Sequence, residues 1–179
     1  RQLVLELALW PAAEAKSASV DWFIEPAGWE SVGELRALAE DENRVLIAWS
    51  SHEAEELGSE LVPAKHRDWF ATNVINGIPI AKRWKRATHP NVTFAVDPKH
   101  PMRGKNQLSR FLELIDYHVP KAYGPGNSAK RIRDVREMLN RKDGDYAKLT
   151  PVAKAKWTKA LLHNWHDCVG LRALMIECV

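Results

Sequence analysis

The chain has 179 residues, 45% of them hydrophobic, which is enough for one proper core, and a single domain spanning 1–179 is expected. No run of 18 apolar residues is present to span a membrane, and the opening Arg1-Gln2-Leu3-Val4-Leu5-Glu6-Leu7 lacks the apolar stretch and cleavage site of a signal peptide. The net charge of +3 hides an asymmetry: residues 1–80 carry 6 Lys/Arg against 14 Asp/Glu, and residues 81–179 carry 20 against 9, so the second half suits a phosphate-backbone partner.

In chain order, Leu3–Trp10 reads as a strand, Pro11–Ala18 as a loop and Ser19–Ile24 as a second, antiparallel strand closed by Glu25-Pro26-Ala27-Gly28. Ser31-Val32-Gly33-Glu34 matches a capping box, which predicts a helix starting there with Leu35, Leu38 and Ala39 inward. Arg44–Trp49 is nearly all apolar and reads as an interior strand, with a helix following from Ser50 toward Leu57. Residues 61–90 have loosely helical spacing with an irregular middle at Gly77 and Pro79, and Val92–Val96 reads as another strand ending in Asp97-Pro98. Leu108, Phe111, Leu112 and Ile115 mark a helix, and Lys121–Asn127 is a loop. Ser128–Leu139 is a basic helix with Ile132, Val135 and Leu139 inward. The last helix starts at Thr150 as N-cap with Pro151 behind it, and its apolar face runs Ala153, Trp157, Leu161, Cys168, Leu171 and Met175. Cys168 and Cys178 stand nearly three turns apart on it, too far for a disulfide, so a reduced, cytoplasmic setting is expected. Strands first, then strand and helix alternating, then helices make the class α/β or mixed α+β.

On that last helix, His163-Asn164-Trp165-His166-Asp167 puts an imidazole one turn before a carboxylate. Leu46-Ile47-Ala48-Trp49-Ser50-Ser51-His52-Glu53 puts Glu53 at a helix start after a buried strand. Together with Leu3–Trp10 and Val20-Asp21-Trp22-Phe23-Ile24-Glu25-Pro26, these segments resemble, over most of the chain, the ribonuclease H-like 3′–5′ exonuclease superfamily. The resemblance implies an α/β fold with a mixed sheet flanked by helices. It implies phosphodiester hydrolysis on single-stranded DNA or RNA by two divalent ions, Mg²⁺ or Mn²⁺, about 4 Å apart. In it Asp167 is a metal ligand, His163 deprotonates the attacking water and Glu53 takes the second acidic position.

One part of that pattern is missing. If Leu3–Trp10 is the second strand, the first strand with its Asp-x-Glu is not in this chain, and the domain is expected to be weak or inactive as it stands. If Leu3–Trp10 is itself the first strand, Glu6 is the only survivor of the motif, with Val4 where an aspartate is needed. Absence of a central strand exposes the edges of its neighbours, so an upstream segment or a second copy is expected to complete the sheet.

Each candidate has a plainer explanation. A solvated His163–Asp167 pair adds only a few tenths of a kcal/mol to a helix. Ser50-x-x-Glu53 is also a capping box, Asp97 suits a turn before Pro98, and Glu6 alternates with apolar neighbours as a solvent-facing residue does. Lys82, Arg83, Lys85 and Arg86, around Trp84, and Lys130, Arg131, Arg133 and Arg136 are candidate nucleic-acid contacts, with Trp84 free to stack on a base. Zinc on His163, His166, Cys168 and Cys178 has the wrong spacing. The alternatives to a nuclease are a non-catalytic nucleic-acid-binding module and a protein-interaction domain.

Overall fold

The computed structural model describes residues 7–9, 28–41, 45–51, 55, 57, 62–95, 106–123 and 128–178. Its centre is a mixed sheet of β1 (Leu7–Leu9), β2 (Leu46–Ala48) and β3 (Val74–Asn76), in that spatial order. β1 runs antiparallel to β2, and β2 parallel to β3. A strand with neighbours on both edges and helices on both faces is best built from continuous apolar residues, and β2 is Leu-Ile-Ala. Its side chains alternate between two cores. Leu46 joins Val32, Ala39, Leu57, Val62 and Phe70 beneath α1 (Gly28–Asp41) and α2 (Ala64–Asn73). Ile47 packs instead against a cluster of Trp49, Ala81, Leu108, Phe111, Leu112, Leu171, Leu174 and Met175. That second face is covered by α3 (Gly77–Thr88), α4 (Leu108–Leu112) and α6 (Pro151–Glu177). Full burial of side chains such as Phe70, Phe111 and Leu174 stabilises each layer by about 1.5–3 kcal/mol per residue.

Between these layers the chain passes close to itself. Asn76 caps α3, its side chain accepting from the Ile78 amide at 2.9 Å. A Cβ on Gly77 would stand 3.2 Å from the Ala48 carbonyl and 3.4 Å from Leu171, so a side chain there would press the sheet against α6. A 3₁₀ turn, Glu113–Ile115, extends α4, and a second, Lys121–Tyr123, lies against α6.

α5 (Ser128–Asn140) and the first half of α6 form a helical hairpin around Val135, Leu149, Ala153 and Trp157. α6 opens as its sequence predicts: Thr150 accepts from the Ala153 amide at 3.3 Å and Pro151 occupies the first turn. Its 27 residues extend about 40 Å, so one helix serves both the hairpin and the sheet. Lys156 donates to Asp134 of α5 at 2.6 Å, an ion pair that holds the Asp134 carboxyl below the usual range.

The mixed sheet flanked by helices matches the expected class, although helices dominate and every described strand has three residues. Four local expectations are corrected. α1 begins at Gly28 and not at the Ser31 capping box, so its buried residues are Val32 and Ala39 with Leu35 beside them, while Leu38 is exposed. Residues 61–90 contain β3, three residues too few for a periodic signal. Val92–Ala95 has no regular structure, because Phe94 folds onto Phe111 at 4.9 Å instead of entering the sheet. In α6 it is Ala160, Gly170 and Leu174 that join the buried face, while Leu161 and Cys168 are only partly buried. The second predicted strand, Ser19–Ile24, lies outside the described residues. Both cysteines are free thiols, and no helix among the described residues is long and apolar enough to cross a membrane.

Candidate functional site

Midway along α6, one helical turn brings His163 and Asp167 together, with Nε2 of the imidazole 3.2 Å from Oδ2 of the carboxyl group. Both are more enclosed than a solvated pair, at 11% and 17% side-chain exposure. The other ring nitrogen of His163, Nδ1, stands 2.6 Å from the main-chain carbonyl of Tyr123. A carbonyl only accepts, so Nδ1 carries the hydrogen and Nε2 is the atom turned to Asp167. Burial pushes the Asp167 carboxyl up to about 7, since ionising it would place charge in a poorly hydrated site. A carboxyl group that favours its neutral form thus stands 3.2 Å from Nε2 of a fixed imidazole, a geometry in which a proton can pass between them.

Around this pair lie aromatic residues that sequence reasoning did not select. His166 stacks on Tyr123 with centroids 5.6 Å apart and planes 19° apart, and its Nδ1 lies 3.2 Å from the Tyr117 hydroxyl. The Tyr117 hydroxyl is held above its usual range, by burial first and by the nearby Asp167 charge second. Tyr117 owes its place to a tight helix end. Asp116 adopts a left-handed conformation (φ 54°), the Tyr117 amide donates to Leu112 at 3.0 Å, and the Asp116 amide donates to Glu113 at 3.4 Å. Gly170, one turn after His166 on α6, lets this turn approach: a Cβ there would lie 2.6 Å from Leu112 and 3.2 Å from Tyr117. The signal available in the sequence was the isolated glycine inside an otherwise helical pattern.

The remaining candidates are scattered. Glu53 and Glu6 lie outside the described residues, as does Asp97. Among the described residues no group of three His, Cys, Asp or Glu side chains is placed to hold a metal ion. Asp167 is the one candidate ligand among the described residues, and Mg²⁺ or Mn²⁺ takes the rest of its oxygen set from further carboxylates, waters and phosphates. Lys82, Arg83 and Arg86 are exposed on α3, whose end approaches the end of α6: the Arg83 charge acts on the Cys178 thiol, which burial nonetheless pushes up to about 11. That places this basic face roughly 16 Å along α6 from Asp167. Lys85 does not share it, because its ammonium donates to the Val92 carbonyl and lies 4.9 Å from the Phe94 ring. Trp84 is not free to stack on a base either; it packs on the core and edge-on to His89 at 5.1 Å. Lys130, Arg133 and Arg136 are exposed on α5, whereas Arg131 turns inward and donates to the Ala122 carbonyl at 3.4 Å. Of the eight basic candidates, Arg131 is thus tied to the turn that also holds His163.

No family model, curated protein or solved structure matches this chain.

Proposed function

We propose that the chain is a metal-dependent, 3′–5′ exonuclease-like domain that hydrolyses single-stranded DNA or RNA, with His163 and Asp167 at its reacting centre. The observation that carries this reading is the enclosed His163–Asp167 contact, with the imidazole held from behind by Tyr123. A proton acceptor in a fixed tautomer beside a carboxyl group is what activation of a hydrolytic water needs. Water forms the new P–O bond, its proton passes to Nε2 of His163, and the strand departs on the broken P–O3′ bond, its oxygen taking a proton from solvent. Tyr123 keeps the ring aligned throughout. A divalent ion, Mg²⁺ or Mn²⁺, would supply Lewis-acid stabilisation of the phosphoryl oxygens, with Asp167, Glu53 and Glu6 as its candidate ligands.

The strand directions in the sheet support a ribonuclease H-like reading. β1, read as the second strand of that pattern, runs antiparallel to β2, the buried strand that leads toward Glu53.

A second reading, a non-catalytic nucleic-acid-binding module, is favoured by the exposed Lys82, Arg83 and Arg86 on one helix and Lys130, Arg133 and Arg136 on another. Incubating 5′-labelled single-stranded DNA and RNA with Mg²⁺ or Mn²⁺, beside the Asp167→Ala variant, separates the two. A ladder of shortened products that the variant does not make supports hydrolysis. Retention of intact strands by both proteins leaves the binding module, and absence of both activities overturns both readings in favour of a protein partner.

A further inference from the structure

We propose that Arg131 is the phosphate anchor of the His163–Asp167 site, its guanidinium leaving the Ala122 carbonyl to take one backbone phosphate of a single-stranded nucleic acid. This rests on the nucleic-acid reading above and assigns one residue a role that the exposed lysines and arginines do not have. Two other arginines with main-chain partners, Arg36 and Arg67, are well satisfied. Arg36 pairs with Glu40 at 2.9 Å and donates to the Lys65 carbonyl at 2.7 Å, and Arg67 donates to the Val62 carbonyl at 2.6 Å. Arg131 differs. Its Nη2 donates to Ala122 at 3.4 Å, a long hydrogen bond, and its Nη1 is buried with no hydrogen-bond partner among the described residues.

A buried, unpaired donor on a permanent cation is costly, and replacing one long bond to a neutral carbonyl with two charge-assisted bonds to a phosphate is favourable. The position suits that exchange. Ala122 and Tyr123 are consecutive residues, so the carbonyl that holds Arg131 and the carbonyl that holds His163 belong to one turn. A phosphate taken by Arg131 would lie within one or two linkages of the bond facing His163, and the strand would be set in register with the imidazole. Lys130, next in the chain and exposed, adds to the local positive potential.

The test measures binding, in EDTA, of a fluorescein-labelled oligothymidylate of about a dozen nucleotides. A series of such strands carries a single neutral methylphosphonate at successive linkages. The variants are Arg131→Gln, which keeps a donor for Ala122, and Arg131→Lys, with thermal melting confirming that each is folded. In the wild type, neutralising one linkage, or two adjacent ones, should weaken binding about tenfold. In Arg131→Gln the same linkages should cost nothing further, with Arg131→Lys restoring part of the effect. Equal linkage penalties in wild type and Arg131→Gln, or undiminished binding by that variant, would overturn the assignment and leave Arg131 as a strut of the turn. No binding by the wild type at low salt would instead overturn the nucleic-acid reading beneath it.

Discussion

The imidazole of His163 and the main-chain carbonyl of Tyr123 meet at 2.6 Å, and this contact decides which ring nitrogen faces Asp167. The two residues are 40 positions apart, so a 3₁₀ turn from another part of the chain sets the tautomer of a helix residue. Asp167 then occupies a site in which its neutral form is favoured.

Replacing Asp167 with asparagine should stabilise the protein in alkaline but not in acidic solution. A carboxyl raised from 3.8 to about 7 binds a proton in the folded state that the unfolded chain has released. Its contribution to stability is fully present below the unfolded value, is lost as pH rises through the folded one, and is flat above it. The stability advantage of Asp167→Asn over the wild type should therefore grow by about 2 kcal/mol between pH 5 and pH 7. Urea melts at several pH values measure it, and parallel curves for the two proteins would refute it.

Divalent ions should act through the same group. Mg²⁺ or Mn²⁺ in hundredfold excess over its dissociation constant should stabilise the wild type by about 2.7 kcal/mol, raising Tm by several degrees, and EDTA should reverse it. Asp167→Asn should show no such rise. The effect should weaken as pH falls below about 7, since the proton competes with the ion for the carboxyl group. A Tm unmoved by either metal would remove Asp167 as a ligand.

Gly170→Ala tests the packing of the aromatic wall. In an open helix this change gains about 1 kcal/mol. Here the new methyl would lie 2.6 Å from Leu112, a residue only 1% exposed with little room to yield. A net loss of about 1–2 kcal/mol is expected, with the Tyr117 hydroxyl displaced from His166. Denaturant melting and tyrosine fluorescence report the two effects, and a stabilised variant would show that α4 and α6 are less closely packed.

Asp116→Gly should work in the opposite direction. Asp116 closes the end of the α4 segment in a left-handed conformation, which costs an ordinary residue about 1 kcal/mol and glycine almost nothing. A gain of about 1 kcal/mol in denaturant stability is expected. A loss of that size would mean that the Asp116 side chain is needed in the turn.

What the sequence determined by itself was local. Thr150-Pro151 marks the start of α6 because capping and the fixed φ of proline act within one turn. The inner face of α5 follows from helical spacing, and the i,i+4 geometry that joins His163 to Asp167 is a property of any helix. β3 was not legible, since three residues between two helices take extended structure only because β2 offers an open edge. Nor was Lys85 distinguishable from Lys82 until Val92 and Phe94 came to meet it. Only the tertiary structure brought Tyr117 and Tyr123 to His166, and Ala122 to Arg131. Contacts across tens of residues depend on how closely two elements can pack, which here a glycine on α6 and a left-handed aspartate beyond α4 decide.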